Sequence, residues 1–244
     1  MIKEKTETKE NKRGKLIVIE ANADRMGKST LTKKLIRCLQ FKGIKVYTHH
    51  YPDSNSKIGE MIYHLLGPDF PVDAKEIDAI TLGSIYLLDM VNSKALIQQK
   101  LDEGYWVILD RYFYSTLLYE TTVAAQQFNI NVTDESGCAT QELLSVAQQL
   151  KNLATGVVND LPEPDYVFCI HAKHVIESFY NSVEEQADDL EALDFQNKLI
   201  EVFYALKDYS NLLHNFVYYD RLTETGEIVE SDDIVKDILK QLGL

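Results

Sequence analysis

Two hydrophobic rhythms alternate along this chain. Short apolar runs rich in β-branched and aromatic residues read as strands: Leu16-Ile17-Val18-Ile19, Ile44-Lys45-Val46-Tyr47, Trp106-Val107-Ile108-Leu109, Tyr166-Val167-Phe168-Cys169-Ile170 and Phe216-Val217-Tyr218-Tyr219. Several lack any polar residue, as strands buried on both faces require. Between them the apolar positions fall at helical spacing. Leu31, Leu35, Ile36 and Leu39, with Lys33, Lys34 and Arg37 interleaved, predict an amphipathic helix that Gly43 ends. Ile58, Met61, Ile62 and Leu65 predict a second. After Pro68 and Pro71, a long helical region from about Lys75 to Leu101 is expected to break once near Gly83. Helix is also expected after Tyr112 to about Gln127, over Gln141 to Leu153 and over Asp232 to Leu242. The stretches His49 to Ser54 and Phe128 to Thr140 read as loops, and acidic Glu184 to Glu191 as a mobile connection. Strands alternating with helices predict an α/β fold with a parallel sheet of about five strands and helices on both faces. No internal repeat or low-complexity linker divides the chain, so one domain is expected over residues 15–244, after a mobile tail over 1–14.

Composition narrows the partners. The formal net charge of -13 argues against broad contact with nucleic acid or an anionic membrane, and makes any local group of cations informative. No apolar stretch is expected to span a membrane, and the tail has no secretory h-region. Three cysteines, Cys38, Cys138 and Cys169, lack metal-type spacing and read as reduced, buried thiols of a cytoplasmic protein.

The candidate chemistry begins at LIVIEANADRMGKST, Leu16 to Thr30. A buried strand feeds a tight loop, Asn22-Ala23-Asp24-Arg25-Met26-Gly27-Lys28-Ser29-Thr30, which opens onto a helix. Such a loop cradles phosphate: backbone N–H groups converge, the helix dipole favours an anion, Lys28 reaches the outer phosphates, and the Ser29 hydroxyl faces Mg²⁺. The pattern GxxxxGK followed by Ser or Thr has Asn22 in place of its first Gly, and Asn tolerates positive φ. Arginine is scarce, limited to Arg13, Arg25, Arg37, Arg111 and Arg221. Arg25 lies in the loop, and Arg111 follows Asp110 at the end of a buried strand, where α/β sheets bind ligands. Guanidinium groups there can hold phosphate and stabilise charge on a transferring phosphoryl group. Asp110 would serve Mg²⁺, hold Arg111 or cap the next helix; Asp24 would pair with Arg25, cap a turn or bond a ligand hydroxyl.

With those residues in place, GKLIVIE…ADRMGKST, YPDSNSKIGEMI, EGYWVILDRYFYSTLLYE and EPDYVFCI, in this order, resemble the thymidylate kinase family over most of the chain from Gly14 onward. The resemblance implies a P-loop NTPase fold that moves the γ-phosphoryl group of ATP onto dTMP, giving dTDP and ADP, with Mg²⁺ and as a homodimer. An arginine in the phosphate loop, Arg25, and a lid around Ser182 to Leu193 without Lys or Arg resemble the eukaryotic-type subclass. By position, Lys28 and the loop amides would hold ATP, with Ser29 and Asp110 near Mg²⁺. Arg25 would clamp the transferred group, Asp24 would meet the sugar 3′-hydroxyl and Arg111 would bind the acceptor phosphate. Tyr51, Ser54, Ser115 and Tyr119 would lie beside the acceptor, and Tyr86 would stack on its base.

The departures are equally specific. The family usually has Gly at Asn22, Glu at Ala21 (a role Glu20 could take), and Arg at Ser54, at about Asp89 or Met90, and near Ser178. Each lost charge-assisted hydrogen bond is worth about 1.5–3 kcal/mol. Leu82-Gly83-Ser84-Ile85-Tyr86 and DRYFYST also resemble the mitochondrial UMP-CMP kinase branch, so another pyrimidine monophosphate (dUMP, UMP or CMP) is an alternative acceptor. A nucleotide-binding homologue without kinase activity, and a deoxynucleoside kinase using Glu20 as base, are the other readings.

Overall fold

The run after Lys15 becomes a strand because both of its faces find apolar partners. In the computed structural model, which describes residues 13–67, 76–158, 161–176, 190, 192–209 and 216–244, β1 (Leu16–Ala21) is buried throughout. Leu16 and Val18 join one core, while Ile17, Ile19 and Ala21 join a second core across the sheet. Successive strand side chains point to opposite faces, so a strand with no polar position must be covered twice. β1 is the centre of a five-stranded sheet ordered β2-β3-β1-β4-β5, with β2 (Val46–His50), β3 (Trp106–Asp110), β4 (Tyr166–His171) and β5 (Phe216–Asp220). Every pairing is parallel. One face carries α1 (Lys28–Phe41) and α7 (Ser231–Gln241), through Leu31, Leu35, Leu39, Ile234 and Ile238. The other carries α2 (Lys57–Leu66), α3 (Ala79–Asp102), α4 (Phe113–Gln127), α5 (Gln141–Val158) and α6 (Leu193–Leu206).

The connections leave β1 toward β2 and leave β3 toward β4, on opposite sides of the sheet. The crevice at the C-terminal ends of β1 and β3 is therefore the topological switch point, where doubly wound sheets bind ligands.

Several expectations need correction. Strand β2 begins at Val46 rather than Ile44 and runs through His49 and His50, which the sequence placed in a loop. It is an edge strand, half exposed, so its pattern is weak. The register from Val46↔Trp106 to His50↔Asp110 decides its span. Helix α3 passes unbroken through Gly83. The glycine serves contact with α4: a Cβ there would lie 3.1 Å from the Glu120 Cγ. α3 starts at Ala79, where the Asp78 carboxylate accepts from the Thr81 N–H at 2.9 Å, an N-cap that fixes the boundary. By length and composition α3 is also apolar enough to cross a membrane, contrary to the expectation for this chain. Here its buried side, including Leu82, Leu87, Met90 and Ile97, is part of the core. Helix α5 extends to Val158, past the expected Leu153. Cys169 is buried as expected, but Cys38 is half-buried and Cys138 exposed. Most of the expected lid, including Ser182, and Ser178 lie outside the described residues.

Asn22 is corrected too. Positive φ in this loop falls on Arg25, at 58°, and Gly27, at 79°, not on Asn22. The Asn22 side chain instead continues the sheet. Its Nδ2 donates to the Ala172 carbonyl at 2.8 Å and its Oδ1 accepts from the Ala172 N–H at 3.2 Å, while its own N–H donates to the Ile170 carbonyl at 3.1 Å. A side-chain amide thus completes the ladder where β1 and β4 part. Asn22→Ala should leave two buried peptide groups without partners, at about 1–3 kcal/mol each. Urea unfolding should show a lowered midpoint with an unchanged slope; an unchanged midpoint would remove this role.

Candidate active site

The phosphate loop is shaped by its backbone. Arg25 and Gly27 take left-handed conformations, turning the chain from β1 into α1 without a side-chain cap on the helix. The first turn of α1 carries no acidic residue, so its amides and dipole are available to an anion. Gly27 is required for a second reason: a Cβ there would stand 3.2 Å from an Arg221 guanidinium nitrogen.

This loop forms one wall of a cavity of about 680 Å³. Ala23, Asp24, Arg25, Gly27, Lys28, Ser29 and Thr30 line it, facing Tyr51, Tyr86, Met90, Arg111, Ser115 and Tyr119. The sequence assigned all of these except Met90 a place at the site, and they do converge. The assigned Asn22, Met26, Ser54 and Asp110 are not among the residues that line this cavity. Met26 is buried in the core beneath the loop, Asn22 is spent on Ala172, and Ser54 is exposed outside the cavity. Ser56 does the local work there, capping α2 by accepting from the Gly59 N–H and donating to Asp89 at 2.7 Å.

Two carboxylate–cation pairs order the crevice, and neither is the expected one. Asp24 pairs with Arg111, not with Arg25. The second Asp24 carboxylate oxygen accepts from the Tyr119 hydroxyl at 2.6 Å and from Gln196 Nε2 at 3.2 Å, and the Asp24 backbone N–H donates to Gln196 Oε1 at 2.7 Å. Arg111 also lies over the Tyr119 ring, 5.1 Å from its centroid, and reaches Ser115 Oγ at 3.4 Å. Burial would raise the Asp24 pKa, but Arg111, Tyr119 and Lys28 overcome it and hold the carboxyl below its usual range. The second pair is Asp110 with Lys28. Asp110 neither holds Arg111 nor caps α4, whose N-cap is Tyr112. Burial and the Arg111 charge pull the Lys28 pKa down, against Asp24 and Glu20. His50, 3.7 Å from Asp110, is lowered to about 4 by burial and by Lys28 and Arg111, so it is neutral near pH 7.

Glu20 is buried behind the cavity. It accepts from the Tyr112 N–H at 2.9 Å and from the Ser115 hydroxyl, tying the end of β1 to the start of α4. Burial raises its pKa to about 7.

Arg221, Lys34 and Glu120 are among the cavity residues that sequence reasoning missed. Arg221 follows β5 as Arg111 follows β3, and its Nη2 donates to Ser231 Oγ at 3.2 Å beside the phosphate loop. That strand-end position was a usable signal. Lys34 lines the same side, 2.9 Å from Asp232. Glu120 lines the cavity with no exposed surface, and periodicity gives no hint of it.

Comparison with known proteins agrees with this arrangement. The family model described as thymidylate kinase matches residues 23–138. A thymidylate kinase of Danio rerio is 23% identical over 217 residues, covering 89% of this chain and 98% of its own length. One of Plasmodium falciparum is 26% identical over 239 residues, covering 96% and 93%. The chain is thus similar to thymidylate kinases over most of its length. A solved thymidylate kinase from Candida albicans shares the fold, with a TM-score of 0.66 at 23% identity over 95% of this chain and 92% of that one. The matched family segment begins in the phosphate loop and ends beyond α4, so it spans Lys28, Asp110, Arg111 and Tyr119.

The Glu20 shift has a stability consequence. Its folded pKa lies above the ordinary carboxyl value of 4.5, so it stabilises the fold fully at acid pH, and that stabilisation is lost as pH rises from about 4.5 through about 7. Urea midpoints across this window should fall less steeply for Glu20→Gln than for the parent. Equal slopes would mean that Glu20 titrates normally in the folded protein.

Proposed function

We propose that this protein transfers the γ-phosphoryl group of ATP to dTMP, giving dTDP and ADP. One observation carries the reading: a phosphate loop and a strand-end arginine clamped by a carboxylate face each other across a single cavity. Lys28 and the first-turn amides of α1 hold the phosphates of ATP. Arg25 clamps the group in transfer. Arg111 binds the acceptor phosphate, Asp24 meets the sugar 3′-hydroxyl, and Ser115, Tyr119 and Tyr51 flank the nucleoside. Tyr86 packs on the base. Catalysis is then positioning and charge stabilisation, with the acceptor oxygen held in line with the γ-phosphorus and water kept out.

Ser29, exposed on the cavity wall, and Asp110, the carboxylate beside Lys28, fit the sparse oxygen donors that a phosphate-bound Mg²⁺ takes from protein. When bound, the ion would neutralise charge on the donor phosphates. A homodimer is supported by the apolar residues that α3 leaves exposed, Ile80, Leu88, Val91 and Leu96. Free cysteines support a reducing, cytoplasmic setting. The net charge of -13 supports a small-molecule partner rather than nucleic acid or membrane.

A second acceptor reading has its own observation. Met90 lines the cavity, and Asp89 points away to the Asp53 N–H and Ser56 hydroxyl, both at 2.7 Å. No arginine stands at either position, so UMP, dUMP and CMP belong in the same assay. With ATP and Mg²⁺, dTMP should be the best acceptor of a nucleoside monophosphate panel. Lys28→Ala and Arg111→Lys should each lower kcat/KM by roughly 100- to 1000-fold, as loss of a positioned charge-stabilising group does. Turnover of nucleosides but not of monophosphates, or undiminished turnover by both variants, would contradict the assignment.

A further inference from the structure

Glu120 has an environment that the fold does not explain. It lies on α4 with no exposed surface, and neither carboxyl oxygen has a hydrogen-bond partner among the described residues. An unpartnered buried carboxyl group is costly, and a position that served packing alone would be better filled by an apolar residue. Burial, with some help from Asp78, raises its pKa well above the usual carboxyl value, so the group is a neutral acid. A neutral carboxylic acid presents a donor and an acceptor side by side.

Its position decides what those two atoms can meet. Glu120 lines the cavity, and a Cβ on Gly83 would stand 3.1 Å from its Cγ and 3.7 Å from the Thr116 methyl carbon. Gly83, Tyr86 and Met90 share one face of α3 at helical spacing, and Tyr86 and Met90 line the same cavity. Glu120 is thus grouped with the aromatic and apolar side of the site. Along α4 it lies about 7.5 Å beyond Ser115, at the helical rise of about 1.5 Å per residue. Ser115 is bonded to Arg111, where the acceptor phosphate belongs, so Glu120 stands where the base of that nucleotide would reach.

We propose that Glu120 is the residue that reads the acceptor base, its carboxyl group pairing with the N3–H and an adjacent carbonyl oxygen of a pyrimidine imide. The acid carbonyl accepts from N3–H while the acid O–H donates to the base carbonyl. This proposal deepens the function proposed above and rests on it, because it takes the acceptor nucleotide as lying between Arg111 and Tyr86. Asp89 is engaged at the start of α2 and Met90 has no hydrogen-bonding group, so Glu120 supplies the pairing that those α3 positions do not.

The test is calorimetric binding of dTMP and of its N3-methyl analogue to the parent chain, Glu120→Gln and Glu120→Leu, with turnover measured separately. The parent should bind dTMP at least about tenfold more tightly than the analogue, as expected for a paired contact. Glu120→Gln, whose amide keeps one donor and one acceptor, should retain that preference within about threefold. Glu120→Leu should lose it while remaining folded and at least as stable to heat, since it removes a buried unpaired group. The proposal is overturned if the parent shows no preference, if Glu120→Leu keeps it, or if Glu120→Gln loses it as fully as leucine does. Failure of the kinase reading would appear instead as absent turnover with the binding preference intact.

Discussion

Taking the Asp24 carboxylate and the Arg111 guanidinium out of water together is the constraint from which the rest of the site follows. Their side chains are only 16% exposed each. Burying either alone would cost several kcal/mol, and breaking such a pair by deleting one partner typically costs about 3–5 kcal/mol. The fold meets this by bringing the ends of β1 and β3 side by side, with Ile19 in register with Asp110. It then surrounds the pair with Tyr119, Ser115 and Gln196, so that the remaining polar atoms are bonded. Arg111 adopts a φ of 69°, a conformation costly for a non-glycine residue. The pair holds it there and aims the guanidinium into the cavity. Specific geometry rather than stability is what such a buried pair contributes.

Around this pair the charges are layered. The chain as a whole carries -13, yet Arg25, Lys28, Lys34, Arg111 and Arg221 all line one cavity. Phosphate groups held there would be attracted locally against the overall field, which narrows access to ligands that bring strong negative charge. Asp110 keeps Lys28 in place, and Glu20, behind the wall, fixes α4 and with it Arg111, Ser115 and Tyr119. His50 is neutral beside Asp110, so it leaves the balance of the two pairs undisturbed.

The legible part of this structure was the part that depends on continuous burial. The runs of β1, β3 and β4 announce themselves because strands covered on both faces admit few polar residues. The loop from β1 to α1 was legible because phosphate-binding chemistry fixes residue types at fixed spacing. Edge strand β2 was misplaced because His49 and His50 are strand residues only by pairing with β3. Gly83 was read as a helix break because sequence cannot display the α4 side chain that crosses it. Asn22 looked like a defect in a motif and is a sheet-completing amide. Which carboxylate pairs with which cation was also hidden. Asp24 and Arg25 are neighbours in the chain, but the fold gives Asp24 to Arg111, 87 residues away.

The central claim is that Arg111 and Asp24 receive the acceptor while the loop at Lys28 receives the donor. A crystal structure with dTMP and ADP bound together tests it most directly. The account predicts the dTMP phosphate on Arg111, its 3′-hydroxyl on Asp24, its base between Tyr86 and Glu120, and the ADP phosphates on the Lys28 loop. A dTMP molecule bound with its phosphate in the Lys28 loop, or with its base on the Arg221 side of the cavity, would contradict it.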